Sequence, residues 1–307
     1  MFMRSSAKLE LSLKDLIIDE EKELGEGSSS RVYLGTYQKK LVAVKVARSN
    51  SRLNITLKDS VHWLEIEDEV LGQLANNTEE VHTGLVGYYG AWFDYSKNDF
   101  FIAIEYANAG TLKNWIFKED EIKDLPNFNW GLAYRIVYDV AMGLYWLHKF
   151  NFIHGDIKPA NILLNKEAGQ LHGKICDFGF TKSVDKIGKD ETYSPIYTAP
   201  EVLLKYLNLH TKSDIYSFAC VLFEIAKQAG IYESFASLDS LKDYITAKNY
   251  RENIPSDTPK KIAHLITWGW EKEPENRPTA ERLKDELSTP MENISEELEK
   301  HTPITYR

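Results

Sequence analysis

The chain has 307 residues, of which 43% are hydrophobic, so it is long enough for a sizeable core divided between two domains or lobes. Its formal net charge of −9 argues against nucleic acid or an anionic membrane as the main partner. Cys176 and Cys220 both lie in apolar stretches, so we expect neither a disulfide framework nor a zinc cluster.

No apolar run approaches the roughly 18 residues of a membrane span, and the start, "MFMRSSAKLELSLKDL", is too charged for a signal peptide. With the sparse cysteines, this pattern predicts a soluble protein of a reducing compartment. We expect the cytoplasm, and the nucleus stays open as an alternative.

The first third of the chain predicts a strand-rich unit. The segments "RVYLGTY", "LVAVKVA" and "FFIAIEYA" alternate as half-buried strands do, and an amphipathic helix is predicted at about 60–75. Helical periodicity dominates from about residue 111, in "WGLAYRIVYDVAMGLYWLH", "SDIYSFACVLFEIAKQ", "SLKDYITAKNY", "PKKIAHLITWGWE" and "TAERLKDEL". A cleft between two such units is a natural ligand site.

The segment "LGEGSSSRVYLG" places Gly25, Glu26 and Gly27 in a predicted turn between strands. Two glycines let the backbone approach a phosphate closely and point its N–H groups at it. Ser30 stands where the pattern G-x-G-x-x-G has its third glycine. This segment alone is equally compatible with an ordinary hairpin turn.

Lys45 lies on a predicted strand and shares its face with Ala43 and Ala47. The small neighbours favour a cleared space for an anionic ligand; the alternative is an exposed lysine on an edge strand. Glu67 on the predicted helix has apolar neighbours at helical spacing. Because a carboxylate in an apolar stripe needs an opposite charge, we predict an ion pair between Lys45 and Glu67.

Two further segments carry polar residues next to apolar runs. In "FIHGDIKPANILL", Asp156, Lys158 and Asn161 lie between apolar ends, and in "GKICDFGFTK" Asp177 follows the end of a strand. Buried polar groups need partners or a function, although a plain turn before a strand explains the first segment equally well. Asn161 and Asp177 offer the hard oxygen ligands that Mg²⁺ binds.

Taken together, these segments resemble the eukaryotic-type protein kinase family over about residues 14–287. The Gly-rich loop, "VAVK", the helix glutamate, "HGDIKPAN", "DFG" and "APE" occur in the family's order, followed by "SDIYSFA" and "EPENRPT". The resemblance implies an α+β bilobal protein kinase fold. Residues 14–106 would form a small antiparallel-sheet N-lobe with one main helix, and 107–287 a larger, mostly helical C-lobe. The ends, 1–13 and 288–307, are predicted to be tails, the latter acidic.

The resemblance also implies a chemistry, with ATP and Mg²⁺ as cofactors and a protein that carries serine or threonine as substrate. Asp156 would orient or accept the proton of the attacking hydroxyl, and Lys158 would neutralise the transferring phosphoryl group. Lys45, held by Glu67, would grip the α- and β-phosphates. The Mg²⁺ ligands would be Asn161 and Asp177. The nucleotide-binding residues would be Gly25, Glu26, Gly27, Val32, Ala43, Lys45, Glu105, Ala107 and Leu163.

By the same resemblance, Ile104 would be the gatekeeper, Glu201 and Arg277 would form a buried ion pair, and Asp214 would brace the catalytic loop. Lys158, two residues after Asp156, is typical of the Ser/Thr class, and Ser194 is placed to bond both. A tyrosine or dual-specificity kinase, a pseudokinase-like scaffold and a small-molecule kinase are the alternatives. The branch stays open between tyrosine-kinase-like kinases and those of the initiation-factor or Wee type.

The sequence departs from the family pattern in ways that bear on regulation. Gly155 stands where most members have an arginine that pairs with a phosphate on the activation loop. We therefore expect activity that does not depend on phosphorylation of loop residues such as Thr181, Thr192 and Tyr193. The segment "ANNTEE" is an insertion after the predicted helix, and a shifted helix would need a partner to form the Lys45–Glu67 pair.

Overall fold

The computed structural model describes residues 15–76, 84–94, 99–118, 125–167, 169–184, 194–204, 208–235 and 237–288. The chain divides into two compact units. The first holds the described residues up to Asn108 together with Cys176–Thr181, and the second holds the rest. The predicted boundary between 106 and 107 stays a prediction. Apart from Ser288, the predicted tails 1–13 and 288–307 lie outside the described residues, as do Thr192, Tyr193 and most of "ANNTEE".

The first unit is built on a five-stranded antiparallel sheet with the order β1-β2-β3-β5-β4. Its strands are β1 (Leu16–Glu26), β2 (Ser30–Tyr37), β3 (Lys40–Ala47), β4 (Tyr88–Asp94) and β5 (Asp99–Glu105). The central strand β3 packs on both faces, and Val42 and Val44 are fully buried. Since Lys45 lies on this strand and is itself buried, the interpretation as an exposed edge lysine is wrong.

Helix α1 (Leu57–Ala75) is the main helix of this unit. It begins three residues before the predicted start because Thr56 and Asp59 form a capping box that satisfies the first N–H groups. Its buried face includes Glu67 between Leu64 and Leu71, as the apolar periodicity predicts.

The second unit is mostly helical. Its helices are α2 (Leu112–Phe117), α3 (Trp130–Lys149), α4 (Pro200–Leu203), α5 (Thr211–Lys227), α6 (Leu238–Ala247), α7 (Lys260–Gly269) and α8 (Ala280–Leu287). Two short two-stranded antiparallel sheets complete it: β6 (Phe152–Ile153) pairs with β9 (Lys182–Ser183), and β7 (Ile162–Glu167) pairs with β8 (Gln170–Ile175). Helix α5 is apolar on nearly all sides and forms the core of this unit.

An antiparallel-sheet unit with one main helix, followed by a helical unit, confirms the predicted α+β fold. Within the described residues, no helix combines the length and the apolar character that a membrane span requires.

Candidate active site

In the first unit, Lys45 lies between two carboxylates. Its Nζ is 2.6 Å from Glu67 Oε2 and 3.0 Å from Asp177 Oδ1. The predicted pair with Glu67 is therefore confirmed. Burial lowers the pKa of Lys45, but the charges of Asp177 and Glu67 outweigh it and hold that pKa above its ordinary value. Lys45 is thus a permanently charged ammonium at the sheet face.

Glu67 is almost fully buried, with a side chain only 1% exposed. Burial raises its pKa, the Lys45 charge opposes that effect, and the nearby Asp177 charge adds to it. Two carboxylates facing one ammonium leave an excess negative charge, and the Asp177 side chain is 42% exposed. Of the two carboxylates, the exposed one of Asp177 offers the kind of oxygen ligand that a hard divalent cation takes.

Asp177 has a left-handed backbone conformation that residues other than glycine rarely adopt, with φ 68° and ψ 72°. Aspartate is among the residues that tolerate this left-handed region, but the conformation persists only where the surroundings impose it. A 3-10 turn, Phe178–Phe180, follows directly, and Phe178 is fully buried. The buried Phe178 anchors the chain next to Asp177, and Lys45 Nζ bonds the Asp177 carboxylate.

The Gly-rich segment joins β1 to β2. Gly27 lies in the turn, and its N–H donates to the Ser30 carbonyl at 2.8 Å. Gly25 lies inside β1 opposite Val32, so the prediction that it lies in the turn is wrong. A Cβ at Gly25 would meet no atom within 4 Å, so the backbone there borders open space. Ser30 is buried in β2, where its backbone fits a strand without a glycine.

The other predicted nucleotide-binding residues of this unit lie on one face of the sheet or at its end. Val32 pairs with Lys45 and Ile104 pairs with Ala43, so these side chains share the Lys45 face. The Glu105 N–H already donates to the Gly87 carbonyl at 2.8 Å. The remaining residues are Glu26, which pairs with Arg48, and the half-buried Ala107.

In the second unit, Asp214 holds the segment after β6 from helix α5. Its carboxylate accepts the backbone N–H groups of His154 and Gly155, both at 2.9 Å, and lies 2.9 Å from His148 Nε2. Burial would raise the pKa of Asp214, but these hydrogen bonds and the histidine charges hold it below its ordinary value. The predicted brace is confirmed. Gly155 has φ 80°, a conformation in which glycine carries no steric cost.

Asp156 lies at the centre of a closed hydrogen-bond network. Its Oδ2 accepts from Lys158 Nζ at 2.6 Å and from Asn161 Nδ2 at 2.9 Å. Its Oδ1 accepts from Ser194 Oγ at 2.8 Å, and Lys158 Nζ also donates to Ser194 Oγ at 3.0 Å. The predicted contacts of Ser194 with both residues are therefore confirmed. Asn161 takes part in this network through its amide nitrogen. Its amide oxygen, the atom that can bind a cation, lies outside the network.

Leu163, the last predicted nucleotide-binding residue, lies half-buried on β7 and pairs with Thr111. Each unit thus carries its own set of the predicted residues: Lys45, Glu67 and Asp177 meet in the first, and Asp156, Lys158 and Asn161 meet in the second.

Comparison with known sequences decides the family. A sequence model described as the protein kinase domain matches residues 18–287. The chain belongs to the protein kinase family. A probable serine/threonine-protein kinase of Dictyostelium discoideum is 30% identical over 291 residues, which cover 92% of this chain and 20% of that protein.

Two further relatives from Dictyostelium discoideum are named dual specificity protein kinases. The first, shkC, is 30% identical over 276 residues, 87% of this chain and 50% of that protein. The second, shkA, is 32% identical over 278 residues, 88% of this chain and 49% of that protein. The chain therefore spans half the length or less of these relatives. The predicted family is confirmed, and the branch within it stays open.

The chain also contains the predicted ion pair between Glu201 and Arg277. Arg277 donates to both Glu201 oxygens at 2.7 and 2.8 Å, and its side chain is fully buried. Burial would raise the pKa of Glu201, but the hydrogen bonds and charge of Arg277, with His210, lower it to about 2.

Sequence reasoning missed two contacts, one in each unit. Tyr197 donates its hydroxyl to Glu224 of α5 at 3.0 Å, and the Trp63 ring of α1 packs on the Phe180 ring. A glutamate at the end of the otherwise apolar run "SFACVLFE" was a usable signal for the first contact. No local pattern indicates the second, because a tryptophan on the buried face of a helix is equally explained by core packing.

Proposed function

We propose that this chain transfers the γ-phosphoryl group of ATP to serine and threonine hydroxyls of protein substrates in a Mg²⁺-dependent reaction. The observation that carries the proposal is the network in which Asp156, Lys158, Asn161 and Ser194 are bonded to one another. In phosphoryl transfer the protein contributes positioning and electrostatic stabilisation, which a preformed network of this kind supplies.

By its count of hydrogen-bond acceptors, the Asp156 carboxylate can accept a further hydroxyl on one of its oxygens. A carboxylate offers about four acceptor positions, two on each oxygen. Among the described residues, Lys158 and Asn161 donate to Oδ2, and Ser194 is the one donor to Oδ1. We therefore assign the remaining position on Oδ1 to the attacking hydroxyl, whose proton Asp156 would orient or accept.

The two lysines would serve different phosphates. Lys158 would place its ammonium, already bonded to Asp156 and Ser194, against the transferring phosphoryl group. Lys45 would bind the α- and β-phosphates, and Glu67 would fix its direction. Asn161 and Asp177 would hold Mg²⁺, which when bound neutralises phosphate charge. The adenine would contact Val32, Ala43, Glu105, Ala107 and Leu163.

Ser194 bonds Lys158 Nζ, and this contact helps to hold the ammonium beside the Asp156 carboxylate. A cation so close to the carboxylate supports a short alcohol as the acceptor. Dual specificity is the second candidate, and the similarity to shkC and shkA, which are named dual specificity protein kinases, favours it. A pseudokinase-like scaffold is less well supported, since Lys45, Asp156, Asn161 and Asp177 are all present. The cytoplasmic location stays a prediction.

The first experiment measures phosphate transfer from Mg²⁺-ATP by the full chain into separate serine, threonine and tyrosine peptide pools, read by mass spectrometry. Asp156→Asn removes the proposed acceptor of the hydroxyl proton. Asp139→Asn is the matched control, because Asp139 is another buried aspartate, bonded to His172 and Gly173. We expect transfer to serine and threonine in wild type and in the control, and none in Asp156→Asn.

Tyrosine phosphorylation at a comparable rate would favour dual specificity. Silence in every pool, with ATP still bound, would contradict the catalytic proposal and favour the scaffold.

We further propose that activity does not require a phosphate on the activation loop. Gly155 supplies no cation, and its N–H is already bonded to Asp214. Phosphatase treatment of the purified chain should change the rate by less than about threefold, because one usual phosphate partner is missing. A several-hundred-fold loss after that treatment would refute this part of the proposal.

A further inference from the structure

Trp63 connects helix α1 to the turn that follows Asp177. The Trp63 and Phe180 ring centroids are 5.5 Å apart with an interplanar angle of 44°. This geometry lies within the range of favourable aromatic pairs. Trp63 is one helical turn before Glu67, so both residues project from the same side of α1.

A backbone contact lies beside this ring contact. A Cβ built on Gly179 would lie 3.3 Å from Trp63 Cβ and 3.5 Å from the Trp63 carbonyl oxygen. The glycine therefore lets the turn Phe178–Phe180 lie directly against α1. Phe178 is fully buried, so this turn is packed tightly in the first unit.

Helix α1 and this turn are thus joined at two points. At the Glu67 level, Lys45 Nζ bonds both Glu67 and Asp177. One turn earlier, Trp63 packs on Phe180 and Gly179. Hydrogen bonds of Ser60 with the Arg48 carbonyl and of Tyr88 with Asp68 also hold α1, so the Trp63 contact bears on how closely α1 lies against the 178–180 turn rather than on its overall orientation. The aromatic contact therefore bears on whether Lys45 reaches both carboxylates at once.

We propose that Trp63 is a positioning residue, whose packing on Phe180 holds α1 against the 178–180 turn so that Lys45 bonds Glu67 and Asp177 together. The proposal rests on the proposed function, in which these residues serve the phosphates and Mg²⁺. Loss of the ring contact loosens that group without removing any member of it. The affected quantities are the KM for ATP and the Mg²⁺ concentration that gives half the maximal rate.

The test compares Trp63→Leu, Trp63→Phe, Phe180→Leu and the double variant Trp63→Leu/Phe180→Leu in the full chain. We expect Trp63→Leu to raise the KM for ATP by roughly 3- to 10-fold, the range that one aromatic pair supports. The Mg²⁺ requirement should rise with it, while the KM for the peptide stays unchanged. Trp63→Phe should keep the KM for ATP close to the wild-type value. The KM of the double variant should be no higher than that of the worse single variant.

Trp268→Leu is the matched control. Trp268 lies on α7 in the second unit, where its ring packs on His264. Its loss should leave the KM for ATP unchanged. Simple destabilisation by Trp63→Leu would lower only the active fraction, and so kcat, without altering the KM for ATP or the Mg²⁺ requirement. That result, or a Trp63→Phe variant no better than Trp63→Leu, would overturn the proposal.

Calorimetric titration with Mg²⁺-ADP separates this proposal from the proposed function, because it needs no phosphoryl transfer. If wild type binds Mg²⁺-ADP but transfers no phosphate, the proposed function fails. In that case an affinity of Trp63→Leu for Mg²⁺-ADP that is roughly 3- to 10-fold weaker still supports the positioning role, because that factor corresponds to one aromatic pair. If wild type and Trp63→Leu bind Mg²⁺-ADP equally, or wild type binds none, the positioning role is refuted.

Discussion

Replacing Glu201 with glutamine tests how strongly one buried ion pair stabilises the second unit. The change keeps the shape of the side chain but removes its charge, so the fully buried Arg277 guanidinium loses its counter-ion. Arg277 retains hydrogen bonds to the carbonyls of Glu271, Lys212 and Lys272. The variant therefore isolates the loss of charge from the loss of packing.

The pKa of Glu201 gives the size of the effect. That pKa falls from 4.5 to about 2 in the folded chain. Each unit is worth about 1.4 kcal/mol, so the ionised form contributes about 3 kcal/mol to the free energy of unfolding. Removing one partner of a buried pair typically costs about 3–5 kcal/mol, which is of the same size. We expect the melting temperature to fall by about 6–12 °C for a domain of this size.

The effect should also depend on pH with a definite sign. The pKa of Glu201 is lowered on folding, so its stabilisation is fully present above the unfolded value of 4.5 and is lost as the pH falls toward about 2. The difference between wild type and Glu201→Gln should be constant from about pH 6 to 8 and shrink below about pH 4.5.

Urea denaturation followed by circular dichroism measures this difference at each pH. Glu65→Gln is the matched control, because Glu65 is exposed on α1 and its loss should cost less than about 0.5 kcal/mol. A cost for Glu201→Gln below about 1 kcal/mol at pH 7, or a difference that grows as the pH falls, would refute the reasoning.

The remaining predictions use the same chain. Lys45→Met should abolish phosphate transfer while the thermal unfolding transition persists, and unchanged turnover would contradict its assignment to the phosphates. Burial raises the pKa of Glu224 to about 7, so folding stability should fall as the pH rises from about 5 to 8. Melts of Glu224→Gln should lack this loss of up to about 3 kcal/mol, and a pH-independent difference from wild type would refute it. Ser194→Ala should lower kcat on serine peptides by about tenfold and Ser194→Thr should restore it, whereas equal rates would exclude a role for the hydroxyl on Asp156.

The parts of the site that sequence reasoning predicted depend on short spacings. The period of 3.6 residues placed Glu67 on the apolar face of its helix, and the alternation along β3 placed Lys45 between alanines. The motif around Asp156 holds its partners Lys158 and Asn161 within a few residues. Local geometry sets such contacts, so the sequence by itself determines them.

The sequence predicted a strand before the Gly-rich turn but not the extent of β1, because this strand is charged and mostly exposed and carries no apolar alternation. It also could not give the contact of Trp63 with Phe180, the bond of Tyr197 to Glu224 or the left-handed backbone of Asp177. The Lys45–Asp177 bond joins residues separated by 132 positions.

Tertiary packing decides these features. Hydrophobic periodicity states which face of an element is buried but not which distant residue covers it. The partner is set by how the elements pack together, and only the folded chain contains that information.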